Sequence, residues 1–398
     1  MDPLYSFHTN VIRQVNRSFF RFLYKEMNWD QRMLAIKGPR GSGKTTLMLQ
    51  HIKYDLKMPA NQALYVSADH YWFYNHNLYE TAESFYLNGG RFLFIDEVHK
   101  YPLWSRELKN IYDGLPGLKI AFSASSALDI YRGEADLSRR VITYILPGMS
   151  FREYLLLRGA AEIKPLSFDE IVKYHEDLAK EISSRIRPLP HFHDYLKFGY
   201  LPIITESRED EIPLRLNQVI NTVIESDLAY TEGFDSGTSV KMKKLLGVIA
   251  ESVPFKPNVS ALARKMDVSR ESIYQWFTYL EKGGLIRTIR QKGKGVSTLQ
   301  KPDKVYLENT NLAYAFKNNP DICSIRESFL LNQLVNAGHV VTLPETGDFF
   351  TEEVTIEVGG KHKTDEQIKA LSNPIIAADD IEVGYANKIP LWLFGFLY

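Results

Sequence analysis

Five short apolar runs punctuate the first third of the chain: residues 33–38 (MLAIKG), 62–69 (QALYVSAD), 91–97 (RFLFIDE), 118–126 (LKIAFSASS) and 141–148 (VITYILPG). Each has the length of a buried strand, and the stretches between them are long enough for helices. That alternation predicts an α/β fold, a parallel sheet with helices on both faces, over residues 1–148. From Met149 to Asp235 the pattern shifts to helix formers, interrupted at residues 185–192 (RIRPLPHF), where two prolines predict a turn or linker. Residues 236–316 read as helix, turn, helix and a strand pair. Residues 317–398 return to mixed strands and one helix, a small α/β tail that closes on the apolar run IPLWLFGFLY, expected to be a buried strand.

Composition adds bounds to this picture. A chain of 398 residues exceeds what one hydrophobic core usually serves, so several domains are expected. Lys+Arg 48 balance Asp+Glu 48, so any surface for a polyanion must be local. Cys323 is the only cysteine, which leaves no disulfide framework and no cysteine-based metal site. No apolar run approaches the roughly 20 residues of a spanning helix, and the N-terminal residues lack the apolar core of a leader. A cytoplasmic protein without a membrane partner is the expectation.

The first candidate chemistry follows the first predicted strand. Gly38-Pro39-Arg40-Gly41-Ser42-Gly43-Lys44-Thr45-Thr46 fits G-x-x-x-x-G-K-[ST] and leads straight into a helical stretch. Glycines at these positions let backbone N–H groups turn towards phosphates, and the helix start adds its positive dipole end. Lys44 is expected at the β- and γ-phosphates of ATP, and the Thr45 hydroxyl on Mg²⁺. The third run then delivers Asp96 and Glu97 at its C-terminal end, Asp96 to hold the metal and Glu97 to polarise the attacking water. Of Ser123, Ser125 and Ser126 at the end of the fourth run, Ser125 is the candidate for contacting the γ-phosphate or the water. Arg140 is a candidate finger reaching a neighbouring subunit's phosphates.

Taken together, GPRGSGKTT, FLFIDEVHK, FSASS and LSRRVITYILPGMSFREYL resemble the AAA-type ATPase domain of a widespread, poorly characterised group of prokaryotic proteins. Arg139 stands where that group usually has glycine, and Arg140 is the residue that matches. HDYLKFGYLP resembles a further segment of the group, with Tyr200 in place of a glycine. The resemblance implies ATP hydrolysis with Mg²⁺, and a finger would imply self-association.

Beyond the nucleotide site, Leu262, Met266, Val268, Ile273, Phe277, Leu280 and Leu285 fall at helical core spacing around a turn at Asp267, with Ser269 placed to cap the second helix. This resembles a winged helix, with residues 291–295 (QKGKG) as the wing tip. Between Lys256 and Lys304, eleven basic residues face four acidic ones, a local +7 that favours duplex DNA. A protein-docking role is the alternative, in which Tyr274 and Trp276 are buried. The tail resembles a restriction-endonuclease-like core: Glu327 and Gln367 on helices, Asp348, and Glu357 with Lys361, although the usual E-x-K has become E-V-G-G-K. Three functions therefore stand open. The leading one is an ATPase whose nucleotide state controls a DNA- or protein-binding module. The others are an ATP-gated nuclease and a non-hydrolysing protein that uses ATP as a structural ligand, against which Glu97 argues.

Overall fold

The structure is a computed structural model that describes residues 1–16, 19–126, 137, 139–205, 207–291 and 302–398. The chain divides into two compact units, Met1–Gly148 and Met149–Tyr398.

The first unit is built on five parallel strands: β1 (Met33–Gly38), β2 (Ala63–Ser67), β3 (Phe92–Asp96), β4 (Lys119–Ser125) and β5 (Ile142–Ile145), in the order β2-β3-β4-β1-β5. Their near-continuous apolar character follows from burial on both faces. Alternate residues of β1 feed two separate cores. Met33 and Ala35 join Phe85, Leu108, Ile111 and Phe122 on one face, and Leu34 and Ile36 join Leu23, Leu47, Met48 and Ile52 on the other. Helices α4 (Leu78–Leu87) and α5 (Trp104–Gly114) cover the first face. Helices α2 (Leu23–Glu26) and α3 (Lys44–Gln50), the latter extended by a π-helical turn over His51–Leu56, cover the second. Helix α1 (Asp2–Gln14) is pinned by His8, whose Nδ1 accepts the Tyr65 backbone N–H at 3.0 Å. Because β4 lies between β1 and β3, the strand that opens into the glycine-rich loop and the strand that ends in Asp96 are not neighbours. Side chains from β4 bridge them.

The second unit opens with helices Phe151–Leu157 and Phe168–Ser183, both started by capping boxes (Ser150 with Glu153, Ser167 with Glu170). The predicted proline linker is instead a helix start. Pro188 occupies the first position of helix Pro188–Phe198, where its missing N–H costs nothing, and the turn is confined to the residues before it. Helices Ser236–Glu251, Val259–Met266 and Arg270–Lys282 follow, then an antiparallel pair, β6 (Ile286–Ile289) with β7 (Lys304–Leu307). Ser269 caps the third of these helices by accepting the Ser272 N–H at 3.0 Å. Of the seven core positions read from the spacing, all but Val268 are buried. Trp276 is buried and Tyr274 half-buried.

Helix Ile322–Asn336 then packs on a four-stranded mixed sheet: β8 (Phe349–Thr351), β9 (Val354–Gly359), β10 (Pro374–Ala378) and β11 (Lys388–Pro390), in the order β11-β10-β9-β8. The closing apolar run departs from expectation. Only Lys388–Pro390 is strand, and Leu391–Phe396 forms a fully buried 3₁₀ helix. Pro390 cannot donate to a ladder, and an apolar run of this length does not distinguish strand from buried helix. Among the described residues, no helix is long and apolar enough to cross a membrane.

Candidate functional site

Gly41 (φ 83°) and Gly43 (φ 96°) both sit in the left-handed region that a side chain disfavours, which is what turns the loop between β1 and α3 around on itself. Gly38 is required for a different reason: a Cβ there would collide with the carbonyl of Leu146, the residue that follows the adjacent strand β5. Lys44 folds back over the loop and donates to the carbonyls of Gly38 (2.8 Å) and Pro39 (3.0 Å). The loop is braced from below by Arg21, a buried guanidinium that donates to the carbonyls of Ser42, Pro147 and Gly148. Sequence reasoning missed Arg21, because nothing in its local pattern marks it.

The acidic pair ends β3. Asp96 is buried and accepts three hydroxyl hydrogen bonds: Thr45 Oγ1 at 2.6 Å and Tyr65 at 2.7 Å on Oδ2, and Ser123 Oγ on Oδ1. Burial and the Asp96 charge push the Tyr65 hydroxyl up, so it stays protonated and donates throughout the ordinary pH range. Glu97 leaves the strand in a left-handed conformation (φ 49°, ψ 44°), uncommon for a side-chain-bearing residue and a sign of local strain. Its backbone N–H is held by Ser123 Oγ at 2.9 Å and Asp96 Oδ1 at 3.1 Å. The turned backbone leaves the Glu97 carboxylate part-exposed, with Oε1 3.4 Å from Arg40 of the loop. Lys44, Thr45, Asp96, Glu97 and Arg40 are therefore gathered with Ser123 and Tyr65, neither of which the sequence reading had chosen.

Ser125 lies two residues beyond Ser123 on the same strand face. It is in register with Gly38, and its backbone N–H approaches His99 Nδ1 at 3.4 Å. Arg140 makes a two-point ion pair with Asp113 of α5 (2.9 and 3.0 Å), which holds that carboxyl below its usual range, while Arg139 is exposed. The oxygen donors of Thr45 and Asp96 suit Mg²⁺, and the glycine conformations with the Lys44 amine suit a triphosphate, so the residues fit Mg·ATP.

In the second unit, Lys256, Arg264, Lys265 and Arg270 are exposed. Arg287 is instead turned inward onto Glu308 and Asn336, Lys282 pairs with Glu232, and Lys304 lies against Glu327 and Asp348. Lys292, Lys294, Lys301 and the rest of the wing tip beyond Gln291 lie outside the described residues. In the tail, Lys361 and Gln367 are exposed, and the lysine that meets Glu357 is Lys363. Cys323 is exposed.

Residues 30–155 match the model of a family described as "AAA domain", and residues 189–321 match one described as "Domain of unknown function (DUF8612)". The chain is 27% identical over 392 residues to the uncharacterized protein MJ1637 of Methanocaldococcus jannaschii, covering 91% of this chain and 82% of that protein. Among solved structures it is similar to PCH-2 of C. elegans (TM-score 0.25, 16% identity, 46% of this chain and 54% of that one). It is also similar to a structure titled "Structural Basis for Katanin Self-Assembly" (TM-score 0.25, 15% identity, 40% and 57%). The chain thus spans a little over half the length of these two solved chains. Its first unit, a five-stranded parallel sheet with helices on both faces, has the fold of a P-loop nucleoside triphosphatase.

Proposed function

We propose that the first unit binds and hydrolyses ATP with Mg²⁺, and that its nucleotide state controls what the second unit binds. The observation that carries this reading is the cluster in which Thr45 and Asp96 share a 2.6 Å hydrogen bond beside a part-exposed Glu97. Lys44 donates to two neutral carbonyls of the loop, and a phosphate oxygen gives its ammonium a charge-assisted bond roughly twice as strong as either. Mg²⁺, when bound, supplies charge neutralisation at the phosphates. Asp96 and Thr45 offer the oxygens that hold it, and Tyr65 and Ser123 orient the Asp96 carboxylate. Glu97 is the base that orients water, since it is the one carboxylate of the pair with solvent access. Arg140 serves as a finger only if a neighbouring subunit draws it off Asp113, so self-association belongs to the same proposal.

The part of the second unit that answers to nucleotide is the helix pair Val259–Met266 and Arg270–Lys282, whose exposed Arg264, Lys265 and Arg270 suit a polyanion such as duplex DNA. Steady-state hydrolysis by the purified chain with Mg²⁺, with and without duplex DNA, tests both halves. Turnover that is lost in Lys44→Ala and in Glu97→Gln, and that rises with DNA, is the expected result. ATP binding without turnover under every condition would instead favour a nucleotide-stabilised scaffold.

A further inference from the structure

One buried guanidinium joins the glycine-rich loop to the residues where the first unit ends. Arg21 donates from Nη1 to the Ser42 carbonyl of the loop and from Nη2 to the carbonyls of Pro147 and Gly148, both at 2.9 Å. The segment that carries Arg21 is itself fixed to α3, because the buried Gln50 at the end of that helix donates Nε2–H to the Phe19 carbonyl at 2.7 Å. A trans peptide group points its C=O and its N–H to opposite edges of one plane. The Ser42 carbonyl that meets Arg21 therefore has the Gly43 N–H on its far edge, one of the donors that the loop offers to phosphate. In the same way, the Gly148 carbonyl has the Met149 N–H on its far edge.

Within the second unit, both backbone groups of Met149 are taken. Its N–H donates to the Tyr200 carbonyl at 2.6 Å, and its carbonyl accepts the Tyr195 hydroxyl at 2.7 Å. These two tyrosines belong to the segment HDYLKFGYLP, to which no chemistry has so far been attached. They are held in turn by buried amides: Asn311 accepts the Tyr200 N–H at 2.7 Å and donates to the Tyr195 and Leu196 carbonyls at 3.1 and 2.9 Å. From helix Ile322–Asn336, Gln333 donates to the Tyr195 hydroxyl at 3.1 Å and Asn332 to the Tyr200 hydroxyl at 3.3 Å.

We propose that Arg21 is a positioning residue that relays occupancy of the phosphate loop to the Tyr195–Tyr200 clasp. The relay is a chain of hydrogen bonds through the 42–43 peptide group, the guanidinium and the 148–149 peptide group, and it rests on the reading that the first unit binds ATP. A phosphate oxygen that accepts the Gly43 N–H polarises that peptide group, which makes the Ser42 carbonyl a stronger acceptor for Arg21. Bonds linked in this way strengthen one another by about 10–30% each. A buried guanidinium must also keep its hydrogen bonds, so a shift of the loop is followed by one at residues 147 and 148. Lysine cannot take over this task, because its compact ammonium lacks the planar fork that serves separated carbonyls together.

Hydrogen–deuterium exchange of the full chain, with and without Mg·ATP, tests the relay, and titration with a fluorescent ATP analogue measures binding separately. In the wild type, nucleotide should slow exchange over residues 38–50 and also over Met149–Leu157 and residues 188–201. Arg21→Lys should weaken binding by about tenfold, the scale of one lost hydrogen bond to a charged group. At saturating nucleotide it should still protect residues 38–50 but lose the response from Met149 onwards. Tyr195→Phe keeps the ring and removes the hydroxyl from the Met149 carbonyl, so it should bind nucleotide as the wild type does while its response over residues 188–201 shrinks. That variant leaves the first unit untouched and keeps the proposal testable even if Arg21→Lys fails to fold. Wild-type protection confined to residues 38–50, or an undiminished second-unit response in Arg21→Lys or Tyr195→Phe, would overturn the relay alone. No protection even at residues 38–50 would overturn the ATP reading and the relay with it.

Discussion

Replacing Ser123 with alanine tests the link from strand order to chemistry. Ser123 is 1% exposed, and its hydroxyl donates to Asp96 Oδ1 while accepting the Glu97 N–H at 2.9 Å. The first bond is to a buried carboxylate and is worth about 1.5–3 kcal/mol. The second lies at the low end of the ~0.5–1.5 kcal/mol range for neutral pairs, because Glu97 N–H keeps Asp96 Oδ1 at 3.1 Å. Ser123→Ala should therefore lower the stability of the first unit by about 2–3 kcal/mol, or roughly 5–10 °C in Tm for a unit of this size.

The kinetic consequence is separable from the loss of stability. Thr45 and Tyr65 still hold Asp96 Oδ2, and Lys44 is untouched, so ATP binding and KM should change little. What is lost is the lock on the Asp96–Glu97 backbone, and a displacement on the order of 1 Å there costs about 10²-fold in kcat. The assay is kcat and KM for ATP at a temperature well below the melting of the variant, with Ser125→Ala as the control from the same strand face. A Ser123→Ala protein with unchanged kcat and unchanged melting temperature, or one less impaired than Ser125→Ala, would refute the assignment of Ser123 as the residue that positions the acidic pair.

Glu97→Gly and Glu97→Ala should both abolish hydrolysis, but the glycine variant should be the more stable by about 1 kcal/mol, because only glycine relaxes the φ of 49°; equal melting temperatures would count against strain at this turn. Gly38→Ala should destabilise the first unit by more than about 2 kcal/mol and weaken ATP binding, since its Cβ meets the Leu146 backbone and not a movable side chain; near-wild-type melting would contradict that contact. His8, buried and accepting a backbone N–H, is pushed down to about 4 from 6.5. The unfolded chain therefore binds a proton between these values that the folded chain does not, so this stabilisation is complete above pH 6.5 and is lost as pH falls towards 4, by about 3 kcal/mol in all. In urea titrations, the difference in stability between wild type and His8→Asn should shrink over that window, and a constant difference would exclude His8 as its source.

How much of this was legible in the sequence depends on how far each requirement reaches along the chain. Gly41, Gly43 and Lys44 answer to one another within a single turn and the start of a helix, so their spacing is a local record of the geometry. Asp96 and Glu97 are nearly as local, being the end of one apolar run. Ser123 and Tyr65 could not be chosen the same way, because each reaches Asp96 only once β4 and β2 are known to flank β3, and strand order is a property of the whole sheet. With Ser123 and Ser125 on one face of β4, periodicity alone cannot choose between them. Arg21 lies further from view, joined to the loop through carbonyls that carry no sequence signature.

The tail shows the converse case, in which a spacing rule misleads because it counts residues and not space. Measured along the chain, E-V-G-G-K moves the lysine out of reach of Glu357, and Lys361 is indeed turned to solvent. Measured through space, the absence of a side chain at Gly359 is what admits Lys363 from the loop, so the glycine that breaks the motif also makes room for its replacement. A strand lysine and a loop lysine present the same ammonium to the same carboxylate, but only the second depends on a neighbouring glycine remaining bare. Gly359→Ala therefore separates the two arrangements: in a strand-lysine site it has no counterpart, whereas here it should expel the amine without touching a single charged residue.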